Sequence, residues 1–378
     1  MKKRVLAVLL ASAMVLSLAA CGNSSKSSDS EKSAKTEESD AKNENAVDTE
    51  DEEAWKKEPM YGKTLPYAYN GGNCVGACKV AELFGFYEEE GLKVECVSGT
   101  NWIDNTATGK AVMCESHIAQ MAVPIINGLD MVLVGTAQTG CQSLYVVNDS
   151  SYQKTSDLVG KNVGIPNGFG SMDHNIVLRF MGHDGLDASD YNFKVVEVSA
   201  VVQALQSGEL DASLLPDQFA YQFVANGTLR TIRSLTTDDD FKEEPCCAVA
   251  LNKKFAEENP ITAKKLTRAI AKASGWIDTH TEESVDLMLD NRMMSVSDLS
   301  LTDKLYELQG SYDWTVTDAQ AETTLRSIID DYKGFGLIDS SLDTDKTLNS
   351  IWWPLISDDE LEEVWAAGKD FDASSLVK

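Results

Sequence analysis

The side chains best suited to metal or redox chemistry in this sequence are cysteines, with a few acidic residues and histidines near them. Cys114, Glu115, His117 and Cys141 are all residue types that ligate transition metals. Their spacing, however, matches no zinc finger, whose ligands come in closely spaced pairs. We therefore predict no metal ligand and no cofactor.

Beyond Cys21 the chain has seven cysteines, an odd number that cannot form a complete set of disulfides. The first two are four residues apart, which is not the CxxC spacing of zinc ribbons and thioredoxin-like proteins. The pattern favours thiols that pack as small apolar side chains. These residues are Cys74, Cys78, Cys96, Cys114, Cys141, Cys246 and Cys247.

Strand-like and helix-like segments alternate through the middle of the chain, and short glycine-bearing loops join them. This order is typical of an α/β protein with a mostly parallel sheet covered on both faces. After a strand at 246–251 the pattern becomes almost entirely helical. The strands predicted before that point include 65–70, 93–97, 110–113, 131–137, 144–147, 162–166 and 193–198.

One pattern occurs twice in this region. In 108–115 and again in 207–217, a turn of small, glycine and charged residues precedes a strand, and an acidic residue follows at the start of a helix. The repetition predicts two lobes with similar topology.

The first 21 residues have the three parts of an export signal. Lys2, Lys3 and Arg4 are basic, 5–18 are apolar, and Leu-Ala-Ala precedes Cys21. The Leu-Ala-Ala-Cys-Gly segment resembles the lipobox of bacterial lipoproteins, in which the cysteine is lipidated. About fourteen apolar residues are too few to span a bilayer. We therefore expect an exported protein held by Cys21 at the extracytoplasmic face of the cell membrane.

The segment 22–58 is rich in Ser, Lys, Glu and Asp and is predicted to be a disordered, acidic tether. The whole chain has a net charge of −27. This balance argues against nucleic-acid binding, which requires clustered Lys and Arg.

Five segments in the body resemble a family of solute-binding proteins. Residues 81–94 read AELFGFYEEEGLKV and 157–166 read DLVGKNVGIP, and the segments 185–187, 202–212 and 263–276 follow in the family's order. The family serves ABC importers of nitrate, sulfonates, taurine, bicarbonate and the thiamine pyrimidine. The resemblance covers roughly residues 67–289.

The resemblance implies a type II periplasmic-binding-protein fold, with two α/β lobes joined by two crossovers and a helical C-terminal region. We place lobe 1 at 59–147 plus 248–378 and lobe 2 at 148–247. The crossovers are expected near 147–148 and 245–246. Ligand is then expected between the lobes, where the carboxyl ends of strands and the N-termini of helices converge.

In that geometry the ligand-binding candidates are residues in loops at strand ends. Asn73, Thr139 and Ser171 could donate hydrogen bonds to an oxyanion, and Trp102 could form a stacking wall. Glu115 and Asp217 would suit an amino group, as in taurine or an aminopyrimidine. The full set is Asn73, Cys74, Trp102, Glu115, His117, Thr139, Cys141, Asn167, Ser171 and Asp217.

The resemblance thus implies a non-enzymatic, monomeric receptor that delivers a small anionic or zwitterionic solute to an ABC permease and its ATPase. Three alternatives stay open: a thiamine-pyrimidine precursor receptor, a metal-dependent pyrimidine-synthase-like enzyme, and a structural surface lipoprotein. The fungal pyrimidine synthases of this superfamily carry a CCCFC motif. Only Cys246 and Cys247 occur at the corresponding place, which argues against the enzyme.

Overall fold

The computed structural model describes residues 49–99, 101–294 and 299–377. The predicted export signal and the lipidation site at Cys21 lie outside these residues. Among the described residues, no helix combines the length and apolarity needed to cross a membrane.

In the described part of the chain, ten strands form two sheets of five. The strands are β1 (Thr64–Tyr69), β2 (Lys93–Ser98), β3 (Met113–His117), β4 (Met131–Thr136), β5 (Gln142–Val147), β6 (Asn162–Gly164), β7 (Asn192–Lys194), β8 (Ala212–Pro216), β9 (Leu229–Ser234) and β10 (Cys247–Asn252).

Fifteen α-helices are described around the sheets. They are α1 (Thr49–Trp55), α2 (Ala77–Leu83), α3 (Phe86–Glu89), α4 (Trp102–Ala107), α5 (Ile118–Ile126), α6 (Met172–His183), α7 (Val198–Ser207), α8 (Asp217–Ala225), α9 (Lys253–Glu258), α10 (Pro260–Thr279), α11 (Thr281–Asp290), α12 (Thr302–Gln309), α13 (Asp318–Gly334), α14 (Thr344–Ile351) and α15 (Asp358–Lys369).

The two sheets have the same topology. The strand order is β2-β1-β3-β10-β4 in the first and β7-β6-β8-β5-β9 in the second. In each, the first three strands are parallel and the fourth is antiparallel to both neighbours. The sheets are therefore mixed rather than mostly parallel, because the fourth strand arrives from the other lobe. The predicted two-lobe α/β fold is confirmed.

The repeated pattern in the sequence corresponds to this repeated topology. β3 and β8 occupy the same place in their sheets, and each leads directly into a helix, α5 or α8. The turns before them contain Gly109 and Gly208, both with φ near +75° (+73° and +76°), a backbone region that glycine tolerates best.

The chain crosses between the lobes twice, and one crossover differs from the prediction. β5 pairs with β8 and β9, so it belongs to the second sheet and the first crossover is 137–141 rather than 147–148. The return crossover is 235–246 and ends where β10 begins at Cys247, close to the predicted place. Lobe 2 therefore begins earlier than expected.

The predicted tether also ends earlier than expected. α1 is followed by a turn that packs on the first lobe, where the Trp55 indole N–H donates to Thr262 Oγ1 at 2.9 Å. The Glu58 carboxylate accepts from the backbone N–H groups of Ile261 and Thr262 at 2.6 and 2.9 Å. These bonds satisfy free donors at the N-terminus of α10, so 49–58 are part of the body.

The C-terminal helices pack on both lobes. α10 is the central helix of the first lobe, packs closely on α15 and α2, and buries Trp276 almost completely. α12 instead packs on α8 of the second lobe. The sequence analysis placed the whole C-terminal region in lobe 1. The structure shows that this region packs on both lobes.

Candidate functional site

Four cysteines from three distant segments of the chain meet where the two crossovers lie side by side. We call Cys74, Cys141, Cys246 and Cys247 the thiol cluster. The Cys141 and Cys246 Sγ atoms are 3.1 Å apart, and those of Cys246 and Cys247 are 3.5 Å apart. The sulfurs of Cys74, Cys141 and Cys247 all lie within 4.8 Å of one another. No pair among the described cysteines is joined in a disulfide.

Local structure explains how the cluster forms. Cys74 lies in a short 3₁₀ turn after β1, and Cys141 ends the first crossover. Cys246 ends the second crossover, and Cys247 begins β10. Cys141 has a φ of +85°, an uncommon backbone conformation for a residue with a side chain. Its N–H donates to Thr236 Oγ1 at 3.1 Å, which helps to hold this conformation.

The thiols of the cluster differ in acidity. Hydrogen bonds from the thiols of Cys246, Cys247 and Cys74 hold the pKa of Cys141 well below its usual range. Burial raises the pKa of Cys246 and Cys247. The cluster therefore favours a thiolate at Cys141, surrounded by protonated thiols.

His117 ends β3 beside this cluster, and its ring is only 7% exposed. Its Nδ1 accepts the Ala119 N–H at 3.1 Å, so the neutral ring carries its proton on Nε2. Nε2 is buried without a hydrogen-bond partner, and one nitrogen of the ring lies within 4.8 Å of the Cys141 and Cys246 sulfurs. His117 thus presents an N–H donor to the cluster.

Glu115 lies two residues earlier on β3, and not at the start of a helix as predicted. It is 2% exposed, and its Oε2 accepts the Cys78 N–H at 3.0 Å while Oε1 has no partner. Burial raises the pKa of Glu115 to about 7. A carboxyl group in this state can be protonated or ionised near neutral pH, so it can donate or accept a hydrogen bond.

Asp217 begins α8, and its carboxylate oxygens already have partners. Tyr145 donates its hydroxyl to Oδ1 at 2.7 Å, and Thr236 donates to Oδ2 at 2.6 Å. Burial raises the pKa of Asp217 to about 6. Asp217 also borders a separate groove of about 560 Å³, which reaches from β5 and β9 to α12. It therefore does not share a pocket with Trp102 or Ser171.

Asn73 and Thr139 are buried and bonded to the C-terminal region. Asn73 Nδ2 donates to Gln309 Oε1 at 3.1 Å. Thr139 Oγ1 accepts the Asp313 N–H at 2.9 Å, and the Thr139 N–H donates to the Asp313 carbonyl. Both side chains hold the helical region against the crossover segments, a role that strand-end position alone does not reveal.

Trp102, Ser171 and the loop before α6 line a second, open pocket of about 420 Å³, which we call the interlobe pocket. Trp102 comes from the first lobe and donates its indole N–H to Ser116 Oγ at 3.0 Å. Asn167 is exposed nearby and donates to Asp173. The described lining residues are Asn101, Trp102, Ile103, Asp104, Gln120, Pro124, Leu129, Phe169, Gly170 and Ser171.

The ten predicted site residues therefore do not form one site but lie in several different parts of the molecule. Cys74, His117 and Cys141 meet at the thiol cluster, and Trp102 and Ser171 meet at the interlobe pocket. Sequence analysis missed Phe169, which is 68% exposed at that pocket, and did not assign Cys246 and Cys247 to a site. The adjacent cysteines at the end of the second crossover were the available signal.

The lobes also touch directly beside the interlobe pocket. Asn175 of α6 donates its amide N–H to the Ala119 carbonyl of α5 at 2.9 Å. Arg179, one turn further along α6, is buried and pairs with Glu244 and Asp331 at 2.6 and 2.7 Å. These bonds connect lobe 2 with lobe 1, the second crossover and α13.

Comparison by sequence finds relatives for the middle of the chain. A family model described as "NMT1/THI5 like" matches residues 76–284. A Brucella abortus (strain 2308) protein named as a binding protein is 25% identical over 217 residues. That alignment covers 55% of this chain and 65% of the relative's own length.

Comparison by structure finds the same fold in proteins of very different sequence. The periplasmic aliphatic sulphonate binding protein SsuA of Escherichia coli superposes with a TM-score of 0.62 at 17% identity, covering 77% of this chain and 92% of that one. The desulfurization enzyme DSZB superposes with a TM-score of 0.57 at 17% identity, covering 80% and 99%. The fold thus occurs in both binding proteins and enzymes.

Proposed function

The chain belongs to the NMT1/THI5-like family, and we propose that it is a receptor that captures a small solute between its lobes for an ABC importer. The observation that carries this proposal is the interlobe pocket, to which both lobes contribute. Its volume of about 420 Å³ lies in the range of small-molecule sites. A pocket shared by two lobes gives a ligand contacts that hinge closure would strengthen.

The lining favours a zwitterionic solute over a bare inorganic anion. It offers the Ser171 hydroxyl and the Asn101 and Gln120 amides as hydrogen-bond donors, and Asp104 as its acid. Among the described residues of this lining there is no lysine or arginine. An aminosulfonate of the taurine type would place its sulfonate near the donors and its ammonium near Asp104. The binding of sulfonates by a protein of the same fold supports this class of ligand.

A thiamine-pyrimidine precursor is the second candidate, and the aromatic residues of the pocket favour it. Trp102 and Phe169 come from different lobes and line the same space. An aromatic ring between them would gain stacking that a small sulfonate cannot.

The place of the protein in transport forms part of the same proposal. Lipidation at Cys21 would hold the receptor at the outer face of the cell membrane, where it would deliver its solute to a permease and ATPase. Replacement of Cys21 by Ser should abolish incorporation of a fatty-acid analogue. Undiminished labelling of that variant would contradict the anchor.

A ligand screen tests the proposal. Sulfonates, nitrate, carboxylates and pyrimidines would be added to the chain lacking residues 1–21, and raised melting temperatures would be followed by calorimetry. We expect the hit to lose affinity in Trp102→Ala but not in Trp353→Ala, a matched change outside the pocket lining. Recovery of the ligand unchanged supports a receptor, whereas its conversion would support an enzyme.

A further inference from the structure

We propose that the thiol cluster binds a single thiophilic metal ion of the zinc type, with Cys74, Cys141, Cys246 and Cys247 as its sulfur ligands. The site goes beyond the proposed function, because its ligands are not among the residues that line the interlobe pocket. Solute binding and metal binding can therefore be tested separately.

The distances between the sulfurs fit one ion. Zinc lies about 2.3 Å from each thiolate in a tetrahedral site, which places pairs of sulfurs about 3.8 Å apart. Here Cys141 and Cys246 are 3.1 Å apart, Cys246 and Cys247 are 3.5 Å apart, and Cys74 lies within 4.8 Å of Cys141 and Cys247. Cys141 and Cys247 each have the other three sulfurs within 4.8 Å, so an ion bound beside these two would lie next to all four.

The chemistry of the donors selects the class of metal. Thiolates favour soft or borderline ions such as Zn²⁺, whereas Mg²⁺ and Ca²⁺ require oxygen ligands. Cys141, Cys246 and Cys247 are all less than 7% exposed, so water would compete little for the ion. Cys74 is the one member of the cluster that is partly exposed, so it is the member nearest to solvent.

His117 independently indicates that the thiol cluster lacks a group, because one of its ring nitrogens has no hydrogen-bond partner. Its Nε2 is buried without a partner, although a buried polar group without a hydrogen bond is costly. Because Nδ1 accepts the Ala119 N–H, Nε2 carries a proton and is a donor. We assign it as an N–H donor to a metal-bound sulfur, a contact that would reduce the negative charge on the thiolates. His117 is thus a positioning residue and not a ligand.

The ligands lie on both connections between the lobes. Cys141 ends the first crossover, Cys246 ends the second, and Cys247 is the first residue of β10. An ion at this place would join the two crossovers to each other and to the turn that carries Cys74. Metal binding should therefore stabilise the fold, since an ion that binds only the folded chain raises stability by mass action.

The test is a metal titration of the full chain, purified in detergent under anaerobic conditions with a phosphine reductant and freed of metal by chelation. Cd²⁺ would serve as a probe, because cadmium–thiolate bonds give a charge-transfer absorption in the ultraviolet. We expect saturation at one equivalent, loss of about four reactive thiols, and displacement of the absorption by excess Zn²⁺. Zn²⁺ should also raise the melting temperature.

Single substitutions test whether the metal binds at the thiol cluster or at the other cysteines. Cys247→Ser and Cys74→Ser should each weaken Cd²⁺ binding at least ~100-fold, and His117→Gln about tenfold. Cys96→Ser, a half-buried cysteine on β2 outside the cluster, should bind like the unaltered chain. Cys74 is the more tolerant position because it is partly exposed, so its variant keeps the test valid if Cys247→Ser fails to fold.

Several results would overturn the proposal. Absence of a saturable cadmium–thiolate absorption in the reduced, folded chain would do so. Equal loss of binding in Cys96→Ser and Cys74→Ser would place the metal elsewhere. Formation of a Cys141–Cys246 disulfide that persists in the presence of Zn²⁺ and reductant would show that the cluster is a redox pair instead.

Discussion

Replacement of Glu115 by Gln should remove a defined part of the pH dependence of stability. Burial raises the pKa of Glu115 from 4.5 to about 7 in the folded chain. The folded state therefore holds a proton on Glu115 more tightly than the unfolded state does. The free energy of unfolding gained from this group is fully present below about pH 4.5 and is lost as the pH rises through about 7. Between about pH 5 and about pH 8, the loss amounts to about 2 to 3 kcal/mol.

Gln is a close isostere that cannot ionise, and it can still accept the Cys78 N–H that Glu115 accepts at 3.0 Å. Glu115→Gln should therefore match the unaltered chain at low pH and exceed its free energy of unfolding by about 2 kcal/mol at pH 8. Glu95→Gln removes the same charge at an exposed position on β2 and serves as the control.

The assay is urea denaturation across this pH range, with chelator and reductant present so that the thiol cluster is in one state throughout. Other buried acids, such as Asp217, also titrate. The informative quantity is therefore the difference in free energy of unfolding between each variant and the unaltered chain. A difference for Glu115→Gln that does not change with pH would refute the reasoning. An equal pH-dependent difference for Glu95→Gln would also refute the reasoning.

Three further predictions concern the interlobe pocket, the buried ion pairs of Arg179 and the packing of α15. Trp102→Ala should weaken binding of an aromatic pyrimidine by about tenfold more than binding of a small sulfonate, measured by calorimetry, because only the pyrimidine loses stacking. Arg179→Met leaves two carboxylates without their buried partner and should lower the free energy of unfolding by about 3 kcal/mol in denaturant titrations. Gly368→Ala should cost about 1–3 kcal/mol, because its new Cβ would lie 2.0 Å from the Lys272 carbonyl oxygen. Gly334→Ala, which has open space within 4 Å, should instead be neutral or stabilising in the same assay.

The fold was readable from the sequence where local pattern and repetition agree. The turn and strand pattern at 108–115 and 207–217 correctly indicated two lobes with the same topology. β3 was placed too early, at 110–113, because its actual residues include Glu115, Ser116 and His117 and are all buried. A strand that buries polar side chains gives no alternating pattern, so its polar residues read as the start of a helix.

The remaining errors come from contacts between distant residues. β5 was assigned to the first lobe because it follows β4 closely, whereas its pairing with β8 and β9 depends on residues about 70–90 positions away. The thiol cluster was not predicted for the same reason, because Cys74 and Cys247 meet only after both crossovers are in place. Spacing along the chain detects ligands on one segment and misses a site assembled from three distant segments.

The most direct test of a receptor that holds its solute between two lobes is small-angle scattering with and without the ligand found in the screen. We predict that the radius of gyration decreases at saturating ligand, and that Trp102→Ala needs a higher ligand concentration for the same decrease. An unchanged radius of gyration at saturation, with binding verified by calorimetry, would contradict capture by closure of the lobes.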